Sequence, residues 1–230
     1  MSLTLHLHPL SSFCHKVLIA FYEKRLPFES RIVDLADEGA RARFLEISPF
    51  GKIPVLSDES RKRTVLETSI IIEYLDQHYR GARAMLPEDE AARLDARFWD
   101  RFFDLYVEVP LQKIVGDRLR PAGEQDARGV SQARATLITA YDVIERQMAD
   151  QTWAIGESFG IADCAAAPAL FYAGIVQPFP ETHPNVAAYF ERLAKRPAYA
   201  RTLAEARPYF HMFPFKEEMP ARFLSGEPET

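Results

Sequence analysis

Apolar residues recur with two different periods along this chain, and the change of period divides it. Leu3, Leu5 and Leu7 alternate with Thr4 and His6, as in a half-buried strand. Residues 17–24 (VLIAFYEK) have the length and pattern of a helix, and Pro27 stops it. Residues 28–33 predict a second strand and residues 39–46 a short helix. Residues 53–56 (IPVL) and 64–66 (TVL) predict two more strands, with the polar residues 58–63 as a hairpin turn. Residues 68–79 then set Ile71, Ile72 and Leu75 at helical spacing. The order is βαβ, a helix, then ββα. A crossover helix makes the first strand pair parallel, and a tight connection makes the last pair antiparallel. The result is a small sheet with helices on its faces.

After Gly81 the period-two pattern disappears. Residues 81–89 read as a linker, and helical runs fit 90–119, 125–148, 162–176, 185–195 and 198–206. Pro110 should kink or interrupt the first run, because it removes a backbone donor and crowds the preceding turn. The uncharged run 164–177 is too short to span a bilayer and contains Pro168, which makes it a buried core helix. Residues 209–215 should pack on the body and the last residues should fray. The domains expected are 1–80, a linker at 81–89, and an all-helical 90–230.

Composition narrows the function classes. Of 230 residues, 47% are hydrophobic and 27% charged, ordinary values for a globular chain. The net charge is −5; residues 1–80 hold 11 basic and 11 acidic side chains, and the remainder 17 and 22. Neither part has the basic stripe that a phosphate backbone demands, so no nucleic-acid partner is expected. Two cysteines, Cys14 and Cys164, imply no disulfide scaffold and suit a reducing compartment. The start MSLTLHLHPL lacks a basic n-region, so no signal peptide and no membrane partner are expected, and the expected location is cytoplasmic. His6 and His8 share a strand face, but without a third ligand at suitable spacing no metal is expected.

The chemistry concentrates at PLSSFCHKV (residues 9–17), where a strand hands over to a helix. A helix N-terminus carries unpaired N–H groups and partial positive charge, and so favours an anion on its axis. Ser11 and Ser12 either cap that helix or donate a hydroxyl to a bound thiolate. The Ser-x-x-Cys pattern is a Cys-x-x-Cys motif whose exposed nucleophile is replaced by Ser11. Serine cannot exchange disulfides, and Cys14, one turn in, reads as a buried, inert thiol. Such a site makes sense if the sulfur arrives with a ligand. In SPFGKIPVL (residues 48–56), Pro54 cannot donate to a ladder, which leaves the Ile53 backbone to pair with an extended ligand or makes a plain edge strand. Glu67 and Thr68 either cap the next helix or hold the ammonium and carboxylate of an amino-acid α-carbon.

Taken in order, Pro9-x-Ser11-Ser12-x-Cys14-x-Lys16-Val17, Pro49-x-Gly51-Lys52-Ile53-Pro54-Val55-Leu56, Glu67-Thr68-x-x-Ile71 and Gly160-Ile161-Ala162-Asp163 resemble the glutathione S-transferase family over the whole chain. The chain looks like a serine-type, theta/zeta-like bacterial member. The resemblance implies an α/β thioredoxin-like N-terminal domain (βαβ-α-ββα) plus an all-α C-terminal helical domain, and a detoxifying transferase that works as a homodimer. It places the catalytic serine on Ser11, with Ser12 as the alternative. Pro54 would be cis, the Ile53 backbone would pair with the cysteinyl unit of glutathione, and Phe13 would border the site. Glu67 and Thr68 would hold the γ-glutamyl end and Lys52 would lie near the glycine carboxylate. Phe13 and residues 102–113, including Tyr106, would wall a pocket for a small hydrophobic electrophile. Glutathione would be a substrate. Asp163 would cap a buried helix with no catalytic part, and the Gly at position 160, where the family has Ser or Thr, makes Gly160→Ser an expected neutral or stabilising change. The paired serines also resemble the zeta class, which isomerises maleylacetoacetate. A glutathione-binding regulator of the same fold is the remaining alternative, which the retained Ser11, Lys52, Glu67 and Thr68 disfavour.

Overall fold

The computed structural model describes residues 3–225. Strands Leu3–Leu7 (β1), Glu29–Ile32 (β2), Val55–Asp58 (β3) and Arg63–Val65 (β4) form one sheet in the order β2-β1-β3-β4. β1 and β2 are parallel, with Thr4 opposite Glu29, and the other pairs are antiparallel. Helices Ser12–Lys24 (α1), Glu38–Ile47 (α2) and Thr68–His78 (α3) pack around the sheet. Beyond Val65 the described residues contain no strand.

β1 is buried on both faces, not one. Leu3, Leu5 and Leu7 enter the main core, while Thr4 and His6 are covered as well. The cover is α2, whose Phe44 joins Val33 and Val55 in a small second cluster and stands 6.2 Å from the His6 ring. His6 Nε2 lies 3.2 Å from Ser57 Oγ, so the buried ring is not left without a polar partner. His8 follows the strand end and accepts the Leu10 N–H at Nδ1 (3.2 Å). β2 is the exposed edge.

α1 begins at Ser12, five residues before the apolar run that announces it. It ends where Arg25 turns left-handed (φ 52°) and the Leu26 N–H closes back on the Phe21 carbonyl at 3.1 Å. Packed between the sheet and two helices of the second half, Ile161–Val176 (α7) and Pro197–Ala206 (α9), it has no solvent face from Cys14 to Phe21. Its cations are therefore buried with partners. Lys16 Nζ is 2.7 Å from Asp100 and 2.9 Å from Asp104, and Lys24 Nζ is 2.6 Å from Asp76.

The helix expected over 90–119 is three segments: Glu90–Phe102 (α4), a π-turn Phe103–Glu108, and Val109–Arg118 (α5). Pro110 has no N–H for the carbonyl of Tyr106, and its ring crowds the preceding turn. The backbone widens there, and the Val109 N–H reaches the Asp104 carbonyl five residues back. Such wide turns re-aim side chains and are frequent at functional sites. Ala127–Gln147 (α6), α7, Pro184–Ala194 (α8), α9 and a short Ala221–Ser225 (α10) complete the helical part. Phe210, Phe213 and Phe215 of the tail are buried, and Phe213 lies 5.1 Å from the Tyr172 ring. The expected fraying concerns residues 226–230, outside the described residues. No helix among the described residues is long and apolar enough to cross a membrane.

At the start of α7, Asp163 accepts the N–H groups of Gly160 and Ala154 (2.8 Å each) and the Tyr189 hydroxyl (2.6 Å). Gly160 is there for another reason than its missing hydroxyl. The Ile161 N–H bonds to the Met85 carbonyl at 2.8 Å, and a Cβ at position 160 would stand 2.8 Å from that same oxygen. The expectation for Gly160→Ser is thus reversed. Overpacking against backbone predicts a loss of about 1–3 kcal/mol, read as a lower Tm.

Candidate active site

Two cavities of about 330 Å³ each lie on either side of the first turn of α1. The first is a cleft between the sheet half and the helical half. Its floor is the loop before β3, where Gly51 takes φ +62° and closes a turn from Ser48. The Ile53–Pro54 peptide is cis, and both residues line the cleft with Lys52. One wall is Glu67 and Thr68 at the N-terminus of α3; Phe13 of α1 and Arg101, Asp104, Leu105 and Val109 supply the other.

Glu67 adopts φ 66°, ψ 125°, a region sparsely populated by residues with a Cβ, at a cost of about 1–3 kcal/mol. Strain of this kind persists where the surroundings fix it, typically at ligand clamps. Its carboxylate makes no helix cap, and neither it nor the Lys52 ammonium has an ion-pair partner among the described residues. Thr68 is the first residue of α3, where backbone N–H groups lack helical partners. Beside the paired Arg101 and Asp104, the cleft thus offers one carboxylate and one ammonium without ion-pair partners, and one helix N-terminus.

The second cavity is mostly apolar. Leu10, Leu111, Val115, Leu119, Met212, Phe213 and Pro214 line it, together with Ser11, Ser12, Glu108, Gln112 and Tyr172. Ser11 is the N-cap of α1, and its Oγ accepts the Cys14 N–H at a long 3.4 Å. A hydroxyl that accepts one bond still has its proton to donate. Ser12 differs, because its proton goes to Glu108 Oε2 at 3.0 Å. Glu108 is 2% exposed, and its other oxygen, Oε1, has no hydrogen-bond partner. Burial pushes the Glu108 carboxyl up to about 8, helped by the Asp104 charge and opposed by the Ser12 hydroxyl and Lys16. Asp104 is itself raised by burial, though Lys16 counteracts it. Cys14 is fully buried and its thiol is pushed up to about 12 by burial, so it stays protonated. His15 is held neutral, lowered to about 4 by burial, with Nε2 2.6 Å from the Pro9 carbonyl.

The structure therefore brings Phe13, Lys52, Ile53, Pro54, Glu67 and Thr68 together in one cleft and sets Ser11 and Ser12 on the neighbouring cavity. Tyr106 lines neither. It is half exposed and its ring packs on Phe102 at 5.3 Å, while Leu105 lines the first cavity and Glu108 the second. Sequence reasoning missed Glu108. The available signal was the recurrence of Asp100, Asp104 and Glu108 every fourth residue within an aromatic stretch, with no basic residue beside them to pair with all three.

Comparison with known proteins identifies the family. Residues 10–78 match the model of the glutathione S-transferase N-terminal domain, and residues 102–197 that of the glutathione S-transferase C-terminal domain. A glutathione S-transferase of Hypomyces subiculosus is 28% identical over 84% of this chain and 94% of its own length. One from Pseudomonas putida is 28% identical over 88% and 92%. Among solved structures, a glutathione S-transferase of Methylobacillus flagellatus with glutathione bound superimposes with a TM-score of 0.80 at 26% identity, over 87% of this chain and 98% of that one. With both of the family's domain models matched in order along it, the chain belongs to the glutathione S-transferase family.

Proposed function

We propose that the chain binds glutathione in the first cleft, holds its sulfur as thiolate at the N-terminus of α1, and adds it to a small hydrophobic electrophile in the second cavity. The observation that carries this reading is the pairing in one cleft of an unpartnered, strained Glu67 with the unpartnered Lys52 and the open end of α3. Glutathione has an ammonium and a carboxylate at its γ-glutamyl end and a second carboxylate at its glycine end. Glu67 faces the ammonium, the Thr68 N–H and hydroxyl take the neighbouring carboxylate, and Lys52 takes the glycine carboxylate. The Ile53 backbone pairs with the cysteinyl unit between them.

The sulfur then lies at the α1 terminus, between Phe13 on one side and Ser11 on the other. A free thiol has a pKa of about 8.5, so lowering it by ~2 units takes roughly 2.7 kcal/mol. The helix end supplies about 0.3–1 kcal/mol, and a hydrogen bond to the charged sulfur about 1.5–3 kcal/mol. Together they reach the requirement without a general base. Ser11 is better suited than Ser12, because the Ser12 proton is engaged by Glu108. Cys14 is excluded by its burial.

Ser11→Ala is expected to raise the pKa of the bound thiol and to lower kcat/KM roughly 10–100-fold, the equivalent of one charged hydrogen bond. Thiolate absorbance in the ultraviolet and turnover both report it. Activity that survives this change and falls with Cys14→Ala would overturn the assignment. The homodimer implied by the family is supported by Ile70 on α3 and by Leu94 and Phe98 on α4, all more than half exposed on helices tied by the Arg97–Glu73 pair (2.7 Å). Sedimentation at micromolar concentration tests it, and a monomer there would remove it.

A further inference from the structure

The turn that delivers Ser11 to α1 has every backbone group accounted for. Pro9 has no N–H, and its carbonyl takes the His15 Nε2 proton at 2.6 Å. The Leu10 carbonyl accepts the Tyr172 hydroxyl at 2.8 Å. The Ser11 N–H donates to the His8 carbonyl, and the Ser11 carbonyl accepts the His15 N–H, both at 3.0 Å. The Leu10 N–H alone ends on an acceptor that a proton can remove near neutral pH, His8 Nδ1 at 3.2 Å. An imidazole nitrogen accepts only while it carries no proton, so this bond assigns the proton of the neutral ring to Nε2. His15 differs, because its Nε2 donates and a second proton on its ring would leave that bond intact. His8 is half-buried, so solvent protons reach it, and its ring packs edge-on to Tyr209 of the tail at 5.1 Å. Met212, Phe213 and Pro214, just beyond, line the second cavity. The ring thus touches both the turn that carries Ser11 and the segment that walls that cavity. Asp34, in the loop after β2, faces the ring and favours its charged form; burial opposes this and prevails, lowering the His8 pKa from its ordinary value.

We propose that His8 is a positioning residue for the thiolate site, holding the Ser11 turn through the Leu10 N–H, and that a proton on Nδ1 releases the turn. The inference rests on the glutathione reading above. With Nδ1 bare, the Leu10 N–H is held and Ser11 keeps its place at the helix end. With Nδ1 protonated, two donors face each other, the Leu10 N–H loses its acceptor, and the Ser11 hydroxyl is no longer fixed against the bound sulfur. A lowered pKa means that the held turn prefers the neutral ring. The turn is therefore fully held above the ordinary histidine value of about 6.5 and gives way as pH falls through the lowered one.

The test compares the unmodified protein with His8→Ala and His8→Asn, using glutathione and chlorodinitrobenzene. Asn sets a carboxamide oxygen near the place of Nδ1 and does not titrate. At about pH 8, His8→Ala is expected to lower kcat/KM about two- to tenfold, the equivalent of one hydrogen bond, with KM for glutathione little changed. His8→Asn should recover most of that loss. At about pH 5 the advantage of the unmodified protein over His8→Ala should vanish, while that of His8→Asn persists. The ratio of kcat/KM values reports the free enzymes, because ionisation of free glutathione is common to all three and cancels. NMR of the isotope-labelled unmodified protein, which raises no question of folding, should show the ring proton on Nε2 at about pH 8 and the Leu10 amide shifting along the same titration curve as the ring. A ratio that does not change with pH, no recovery in His8→Asn, or a Leu10 amide indifferent to the ring would each overturn the proposal. Thiolate absorbance of bound glutathione at about pH 8, measured with no electrophile, separates the two readings. If the thiolate forms and the ratio is flat, only the His8 role falls; if no thiolate forms, the glutathione reading falls and takes this one with it.

Discussion

The two cavities beside the first turn of α1 are built in opposite ways. The first cleft relies on main chain and on charges at its rim: a cis peptide, a left-handed glycine, a strained glutamate and the open end of α3. Its residues come in short contiguous stretches, 48–54 and 66–68, joined by Phe13 and one face of the π-turn. The second is made of side chains from widely separated segments, α1, the π-turn with α5, α7 and the 212–214 tail, and its polar groups are Ser11, Ser12, Glu108, Gln112 and Tyr172. A site made from backbone holds one ligand well, because backbone geometry changes little between relatives. A site made from side chains can be retuned residue by residue. The difference teaches where specificity would lie on the proposed function: peptide recognition in the first cavity, choice of electrophile in the second.

Lys16 joins the two, since Asp104 lines the first cavity and Glu108 the second, and both answer to the same ammonium. Lys16→Met strands Asp100 and Asp104 as buried charges. It is expected to cost about 3–5 kcal/mol of stability, seen as a large drop in Tm, and to impair both half-sites. A variant that melts like the parent would show the two cavities to be independent after all.

Glu67→Gln should act on one cavity only. Loss of the ion pair to an ammonium predicts a rise in KM for glutathione of roughly tenfold or more, with KM for the electrophile little moved. A rise in the electrophile's KM instead would place the peptide in the wrong cavity. The smallest effect is expected at Met212, which lines the second cavity and is half exposed. Met212→Ala removes partial apolar contact worth about 1 kcal/mol or less, a few-fold in KM for the electrophile. If KM for glutathione shifts in its place, the division drawn here fails.

Much of the first cavity was legible before any coordinates. PLSSFCHKV, SPFGKIPVL and the Glu67-Thr68 pair are each local, and their order in the chain is the signal. The start of α1 was less legible, because Ser11 and Ser12 add nothing to an apolar period and the helix reveals itself only where Val17 begins one. β1 misled in a related way. Thr4 and His6 look like a solvent face by alternation, yet α2 covers them and Ser57 stands close to the His6 ring. Gly160 misled because its neighbour Met85 is distant in sequence and close in space.

By itself, the sequence determined the order of strands and helices, the change of period after Gly81 and the residues that come together in the first cleft, since period, turn chemistry and contiguous motifs are local properties. Tertiary structure alone decided that Lys16 is buried between two aspartates, that Tyr106 lines neither cavity while Glu108 lines the second, and that Ser12 gives its proton to Glu108 while Ser11 does not. Those outcomes depend on desolvation and on partners up to about a hundred positions away, as with Ser12 and Glu108, and no local pattern carries that information.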